Sequence, residues 1–233
     1  MPNWCYNEMT ITASCEEAQE QAKEFISKSI IKTEKTNMQG EKYTEEDFTF
    51  KGVYPMPKSL EITSGSAVDD AMCLLKAKEG DLSDITEYAK NPWTYESDRK
   101  LYSKNTPLKE KIKIAMEHLE DTLEVNDLTE GQMALDNIKK YGYANWYQWS
   151  INKWGTKWDA CNATVEDISS DYIFIRFDTA WSPPEGYIEE LSAKFPLLEI
   201  QVRVTEESDA FMGFICATDG QINASYAEPT MPH

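Results

Sequence analysis

The residues that most often carry catalysis are scarce in this sequence and lie far apart along the chain. There are two histidines, His118 and His233, which nearly excludes a metal site built on a histidine pair. The letters H-L-E at residues 118–120 match the first half of a zinc deaminase pattern, but no P-C-x-x-C follows. S-D-R-K at residues 97–100 fits S-x-x-K without the companion motifs of that enzyme class. We therefore expect no enzymatic activity, no metal and no cofactor.

The cysteines and the first residues of the chain indicate where the protein resides. The five cysteines are odd in number, scattered and without a CxxC pair, so neither a disulfide framework nor zinc or iron–sulfur ligation is indicated. The opening M-P-N-W lacks a basic segment and a long apolar run, and no stretch approaches the ~18 apolar residues of a membrane span. We expect reduced thiols, a cytoplasmic location and no membrane partner.

The composition is that of a globular protein, but it is strongly acidic. The sequence contains 23 basic and 41 acidic residues, for a formal net charge of −18. Residues 141–233 hold 14 acids and 5 bases, so the last third carries −9 and has no basic patch. Such a field repels phosphate, so direct nucleic-acid binding is not expected. Two interpretations stay open: the charge only keeps the protein in solution, or it attracts a basic partner.

Hydrophobic periodicity predicts strands at both ends of the chain. Residues 4–13 alternate as a strand, and Ser14 and Glu17 form a capping box that opens a helix. Residues 32–46 are polar and predict a loop, and residues 48–53 predict a short strand. In the last third a second capping box at Ser182 and Glu185 precedes another helix. The strands predicted there cover residues 161–166, 172–177, 198–205 and 211–216.

The middle of the chain predicts helices. Thr106 is the expected N-cap of the longest one, with Pro107 at its first position, and Gly142 is the expected end of the last one. The predicted helices cover residues 67–78, 81–90, 107–125 and 129–140.

The order of these elements predicts an α+β fold. Without the helical block, the elements form a ferredoxin-like βαββαβ core with an added strand, whose antiparallel sheet is assembled from both ends of the chain. Neither end has enough strands to shield a sheet face alone. The predicted division is a core of residues 1–57 and 141–227, a mainly helical insertion of residues 58–140, and a tail of residues 228–233.

Tryptophan-rich motifs carry a resemblance to a known family. They are M-P-N-W-C at residues 1–5, P-M-P at 55–57, Y-G-Y-A-N-W-Y-Q-W at 141–149, W-G-T-K-W-D-A at 154–160 and T-A-W-S-P-P at 179–184. In these motifs the chain resembles the YubB-like ferredoxin-domain family of phage and plasmid proteins. The resemblance implies a ferredoxin-like topology and a mobile-element setting, and it implies no activity.

The same motifs supply the candidate binding residues. Trp154, Trp158 and Trp181 could line a pocket in which a planar group stacks, with Lys157 and Arg176 providing positive charge. Tyr143 and Asn145, in the motif before, complete the candidate set. The alternative is that the tryptophans fill the seam between the helical block and the sheet, and that Arg176 pairs with a carboxylate.

Three functions from different classes remain open on this basis. The first is a non-enzymatic phage or plasmid accessory protein that binds and inhibits a host protein, such as a defence component. The second is a protein that binds and sequesters a nucleotide-like small molecule on its tryptophans. The third is an enzyme with an unrecognised carboxylate site. Of these the acidic charge and the missing catalytic groups favour the first.

Overall fold

Strands at both ends of the chain enclose a helical middle in the sequence. The computed structural model describes residues 3–36, 40–90, 105–208 and 210–228. Its strands are β1 (Trp4–Thr12), β2 (Ile30–Thr36), β3 (Lys42–Phe48), β4 (Cys161–Ile168), β5 (Tyr172–Ala180), β6 (Glu199–Glu206), β7 (Met212–Thr218) and β8 (Gln221–Ala227). Its α-helices are α1 (Glu16–Ser29), α2 (Ser66–Lys78), α3 (Ser83–Lys90), α4 (Leu108–Thr122), α5 (Val125–Tyr141), α6 (Trp146–Lys153) and α7 (Glu185–Lys194).

Six strands form one antiparallel sheet in the order β4-β5-β1-β6-β7-β8. The N-terminal strand β1 lies between β5 and β6 and is antiparallel to both. The order β4-β5-β1-β6, with α1 after β1 and α7 between β5 and β6, is the ferredoxin-like arrangement. The predicted α+β class and the assembly of the sheet from both ends are therefore confirmed. Two strands, β7 and β8, extend this core where the sequence predicted one.

One face of the sheet is covered by α1 and α7. Phe25 of α1 and Tyr187 of α7 both contact Phe48, at ring-centroid distances of 6.2 and 6.0 Å. Phe48 in turn lies 5.1 Å from Phe177 of β5. Side chains on this face alternate with exposed ones along each central strand, and those that are at most 1% exposed include Met9, Ile11, Ile175, Val202 and Val204. This aromatic and aliphatic layer is the core of the fold.

The predicted loop at residues 32–46 is wrong, because β2 and β3 pair there as a separate two-stranded hairpin. Among the hairpin side chains that the structure describes, the buried ones, Ile30 and Phe48, lie opposite each other at its base. Beyond the base, apolar and polar residues do not alternate in the hairpin sequence. Pairs of opposite charge lie across the two strands instead. Lys32 Nζ lies 2.7 Å from Glu46 Oε1 across the hairpin.

The predicted strand at residues 48–53 is also wrong. Beyond Phe48 the chain forms a 3₁₀ turn, Phe50–Gly52, in which Phe50 stacks on Tyr187 at 4.1 Å. A Cβ on Gly52 would lie 1.9 Å from the carbonyl oxygen of Lys28, so this turn lies directly against the end of α1. Burial of the Phe50 ring therefore determines the local conformation, in spite of the strand propensity of these residues.

Both predicted N-terminal capping boxes are wrong, although the helices behind them exist. The N-cap of α1 is Cys15 and that of α7 is Pro184, and neither helix has a side-chain cap hydrogen bond. Ser182 uses its hydroxyl elsewhere, donating to the carbonyl oxygen of Gly155 at 2.6 Å. The N-cap of α4 is Pro107 rather than Thr106.

The chain divides into two units, Met1–Met56 with Trp149–His233, and Pro57–Gln148. The second unit is helical, as predicted, with Leu74, Ile85, Ala115 and Leu119 among its buried side chains. Gly142 ends α5 in the left-handed region at φ 80°, which confirms its predicted role. Across the described ranges, the helices are all too short or too polar to traverse a bilayer.

Candidate functional site

Trp154 is a core residue. Its side chain is 2% exposed, and its Nε1 donates a hydrogen bond of 2.9 Å to the carbonyl oxygen of Tyr54. Its ring meets Trp149 and Phe50 edge to face at 5.2 and 5.7 Å. The indole ring and its polar atom are thus both engaged within the first unit, so Trp154 is buried there.

The segment around Trp154 is held by backbone and hydroxyl contacts to residues 179–187. The amide of Tyr187 donates to the carbonyl oxygen of Trp154 at 3.1 Å, and Thr156 Oγ1 donates to that of Ala180 at 2.9 Å. Gly155 has a φ of 86°, and a Cβ there would lie 3.0 Å from the amide nitrogen of Glu185. The W-G-T and S-P-P-E motifs therefore contact each other.

Asp159 ties the other end of the same motif to the 3₁₀ turn. Its carboxylate accepts hydrogen bonds from the amide of Phe50 at 2.7 Å and from Thr49 Oγ1 at 2.6 Å. These bonds fix the segment that follows β3 against the segment that precedes β4. Much of the W-G-T-K-W-D-A motif thus has a structural role in the first unit.

Trp158, Lys157 and Trp181 are more accessible than Trp154. The half-buried ring of Trp158 lies 6.0 Å from that of Trp4 at the start of β1, and Lys157 Nζ lies 5.1 Å from the Trp158 ring centroid. Trp181 is 53% exposed and has a φ of 74°, a conformation that non-glycine residues rarely adopt. Two indoles of the candidate set are therefore reachable from solvent, and one of them has a cation beside it.

Arg176 lies on β5 in an ion-pair network. Its Nη1 is 2.6 Å from Glu166 Oε1 and its Nε is 3.3 Å from Glu8 Oε1. Glu8 also lies 3.6 Å from Nη1 of Arg203 on β6, so this carboxylate sits between two arginines on neighbouring strands. The carboxylate partner that the sequence left open for Arg176 is therefore present.

Tyr143 and Asn145 belong to the second unit, whereas the other candidate residues belong to the first. Asn145 is 6% exposed, and its Oδ1 accepts a hydrogen bond of 3.0 Å from the amide of Tyr147 at the start of α6. Tyr143 is half-buried. The predicted set is thus not one cluster within a single unit.

The face of the sheet opposite α1 and α7 exposes large apolar side chains. This face, here called the open face, carries the residues that alternate with the buried ones along the six strands. Tyr6 of β1 is 47% exposed, and Met212 and Phe214 of β7 are 42% and 60% exposed. The register places Tyr6 opposite Thr205 and Thr205 opposite Met212, while Arg203 lies opposite Phe214. These residues form a continuous area over β1, β6 and β7.

A shallow groove of about 540 Å³ lies on this area. Its side-chain walls include Arg203, Met212, Phe214 and Ser225. The side chain of Arg203 is 61% exposed. The groove can therefore accept an apolar side chain beside a fixed positive charge that Glu8 already balances.

Sequence reasoning did not identify the open face. The signal was present in β7, where Gly213, Ile215 and Ala217 occupy the buried phase of the alternation. Phe214 occupies the phase that ordinarily holds a polar residue, so an aromatic ring there marks an exposed apolar position. The assembly of β1 beside β6, which brings Tyr6 near β7, cannot be read from local periodicity.

The thiols of Cys5 and Cys73 are buried. Burial, with Glu206 as a lesser cause, raises the pKa of Cys5 to about 12, and burial raises that of Cys73 to about 11. Both thiols are therefore protonated at neutral pH and are poor nucleophiles. Within the described ranges no group of three or more His, Cys, Asp or Glu side chains could hold a metal. Residues 97–100 and His233 lie outside the described residues.

Fold and site together define a ferredoxin-like α+β protein with a widened sheet and an exposed sheet face. Residues 153–231 match the family model described as a ferredoxin-like domain in Api92-like protein. The match covers β4 to β8 and α7, whereas β1, which completes the same sheet, precedes it. No curated protein sequence matches the chain.

One solved structure is similar to the chain over its full length. It is the crystal structure of a protein api92 from Yersinia pseudotuberculosis, with 16% identity, coverage of 100% of both chains and a TM-score of 0.39.

Proposed function

We propose that the chain is a non-catalytic accessory protein of a phage or plasmid that binds and inhibits a basic host protein, such as a defence component, through its open face. The observation that carries the proposal is the exposure of Tyr6, Met212 and Phe214 in register on that face. Isolated exposed apolar residues are ordinary, but adjacent ones on a regular sheet are typical of a surface that another molecule covers.

The composition of the open face is that of a protein interface. Protein interfaces are enriched in tyrosine, phenylalanine, methionine and arginine at their centres and have a polar, charged rim. Here Phe214 and Met212 line the groove together with Arg203. Each arginine on the face is already paired with a carboxylate, so covering the face does not leave an arginine without a counter-charge.

The charge of the chain favours a basic partner. The formal net charge is −18, and exposed acids such as Glu166 and Glu199 lie at the margins of the open face. A partner with a basic rim would be steered to this surface, and a nucleic acid would be repelled. The mobile-element setting rests on the resemblance of the tryptophan motifs to the YubB-like family.

Quantitative capture from a host lysate tests the proposal. Wild-type protein, the double variant Tyr6→Ala/Phe214→Ala and the control Leu197→Ala are each immobilised. Leu197 is 46% exposed between α7 and β6, outside the open face, so its removal takes away an exposed apolar side chain at another place. We expect one host protein to be retained by wild type and the control and lost by the double variant. If every captured protein binds the double variant equally well, the open face is not the binding surface.

A second candidate function is the binding of a nucleotide-like small molecule at Trp158. The observations that favour it are the ring of Trp4 at 6.0 Å and the Lys157 ammonium at 5.1 Å. A base stacked on an indole is worth about 1–3 kcal/mol. Mass spectrometry of the molecules released on denaturation tests this function. A ligand that is released from wild type but not from Trp158→Ala, at an unchanged melting temperature, would support a small-molecule ligand in place of a protein partner.

A further inference from the structure

The two edge strands of the six-stranded sheet differ in how their outer edges are protected. The register of β4 against β5 shifts twice, between Cys161 and Thr164 and between Val165 and Asp167. β4 also carries the acids Glu166 and Asp167. Irregular pairing and charged side chains are the usual means by which an edge strand is kept from pairing with another chain.

β8, at the opposite edge, has neither form of protection. Its register against β7 is continuous from Gln221 to Ala227. Its sequence Q-I-N-A-S-Y-A contains no charged residue and no proline, in a chain of which 27% is charged. Among the described residues no strand pairs with its outer edge. A regular, uncharged edge strand of seven residues is a ready template for one more strand.

We propose that β8 is a self-association strand, on which a second copy of this chain pairs its own β8 in antiparallel orientation to join two sheets into one. This inference does not depend on the proposed host partner, because it concerns the outer backbone edge of β8, whereas the proposed partner contacts side chains of the open face.

The sequence of β8 is self-complementary about Ala224. A two-fold axis at Ala224 places Ile222 of one copy opposite Tyr226 of the other, and Asn223 opposite Ser225. Ile222 and Tyr226 lie on the side of the sheet that faces α7, where Ile222 is half-buried and Tyr226 is 39% exposed. Pairing therefore brings a β-branched side chain against an aromatic ring twice, and polar side chains against polar ones twice. Two-fold symmetric dimers require this kind of self-matching surface.

Charge determines how the pairing of two copies should depend on salt. β8 itself carries no charge, so its pairing with a second β8 has no like charges at the seam. The two whole chains nevertheless repel each other, since each has a net charge of −18. Salt screens that repulsion without weakening the strand pairing, so the dimer should become stronger as ionic strength rises.

Sedimentation velocity over a concentration and sodium chloride series tests the proposal. The variants Ala224→Lys and Ala224→Glu each place two like charges directly opposite each other at the two-fold axis. The control Thr164→Lys adds the same charge to an exposed position of the other edge strand. Circular dichroism spectra and melting temperatures are measured to check that each variant is folded.

We expect wild type and Thr164→Lys to dimerise increasingly with concentration and salt, and each Ala224 variant to stay monomeric. An equimolar mixture of Ala224→Lys and Ala224→Glu should dimerise again, because opposite charges then face each other. The proposal is overturned if wild type is monomeric up to about 1 mM, a weak limit on the affinity scale. It is equally overturned if both Ala224 variants dimerise alone, or if the mixture of folded variants does not associate.

Discussion

At the scale of single residues, similar side chains in neighbouring motifs have different roles. Trp154 is buried and its Nε1 is hydrogen-bonded to Tyr54, whereas Trp181 is 53% exposed. Asp159 binds backbone and hydroxyl donors of the 3₁₀ turn rather than solvent. The types and spacing of the residues identified a specific motif but not the role of each side chain in it, because burial depends on what packs against that side chain.

Substitution of the two tryptophans should separate these roles. Trp154→Ala removes a buried ring and leaves the carbonyl group of Tyr54 without its donor, so we expect a loss of about 3–5 kcal/mol in the free energy of unfolding. Trp181→Ala changes an exposed side chain and should cost less than about 0.5 kcal/mol. Urea denaturation of both variants measures this. Equal losses would mean that Trp154 is not a core residue.

Exposed and buried thiols should differ in their reactivity and in their effect on the pH dependence of stability. Cys15 and Cys216 are exposed, whereas burial raises the pKa of Cys5 from 9.0 to about 12. A thiol whose pKa is raised on folding stabilises the protein below the unfolded value, and this contribution is lost as the pH rises through the folded value. We therefore expect stability to decline between pH 9 and 12, and Cys5→Ala to reduce that decline.

Reaction with a disulfide-exchange reagent also tests the difference between the exposed and the buried thiols. At pH 8 the exposed thiols Cys15 and Cys216 should react quickly, and Cys5 and Cys73 should react only on unfolding. Fast reaction of Cys5 in the folded protein would contradict its burial in the core.

At the scale of elements, the close approach of α2 and α5 rests on one glycine. A Cβ on Gly131 of α5 would lie 2.6 Å from the Cβ of Ala71 of α2. Alanine is ordinarily favoured over glycine inside a helix by roughly 0.5–1 kcal/mol. With alanine at position 131, α2 and α5 would have to move apart. We expect this loss of packing to outweigh the gain in helix propensity.

We accordingly expect Gly131→Ala to destabilise the protein by about 1–3 kcal/mol, as an overpacked core residue does. The control is Gly65→Ala, where the nearest atom to an added Cβ is 3.9 Å away and the backbone is extended. Thermal unfolding of both variants gives the comparison. A melting temperature for Gly131→Ala at or above that of the control would show that α2 and α5 are not in contact.

The elements also show which parts of the fold local sequence patterns can predict. The helices of the middle and the strands β1, β4, β5, β6 and β7 follow from apolar periodicity, because each buries one face. The hairpin of β2 and β3 was missed because most of its side chains are exposed on both faces. β8 was not predicted, although Ile222, Ala224 and Tyr226 alternate in it with Gln221, Asn223 and Ser225. The open face was not predicted, since it depends on the pairing of β1 with β6, which come from opposite ends of the sequence.

At the scale of the whole molecule, the sheet requires both ends of the chain. β1 forms hydrogen-bonded pairs with β5 on one side and β6 on the other. The region that matches the family model, residues 153–231, begins after β1 and so contains neither the strand nor its buried side chains. Without β1 the two neighbouring strands would each present an unpaired edge inside the sheet.

A fragment of residues 149–233 should therefore lack a cooperative unfolding transition, because Met9 and Ile11 are absent from its core and two strand edges are open. A chain that joins residues 1–56 to residues 149–233 through a flexible linker should recover the transition. Calorimetry distinguishes them. Cooperative melting of the short fragment would mean that β1 is dispensable for the ferredoxin-like fold.

We expect the open face to bind a protein partner. Isothermal titration of the captured host protein with Phe214→Ala and with Leu197→Ala tests it most directly, because the two positions have similar exposure and only Phe214 lies on the face. We predict that Phe214→Ala weakens binding at least about tenfold, the loss of a residue central to an interface, and that Leu197→Ala leaves it within about twofold. Equal affinities of the two variants would contradict the account.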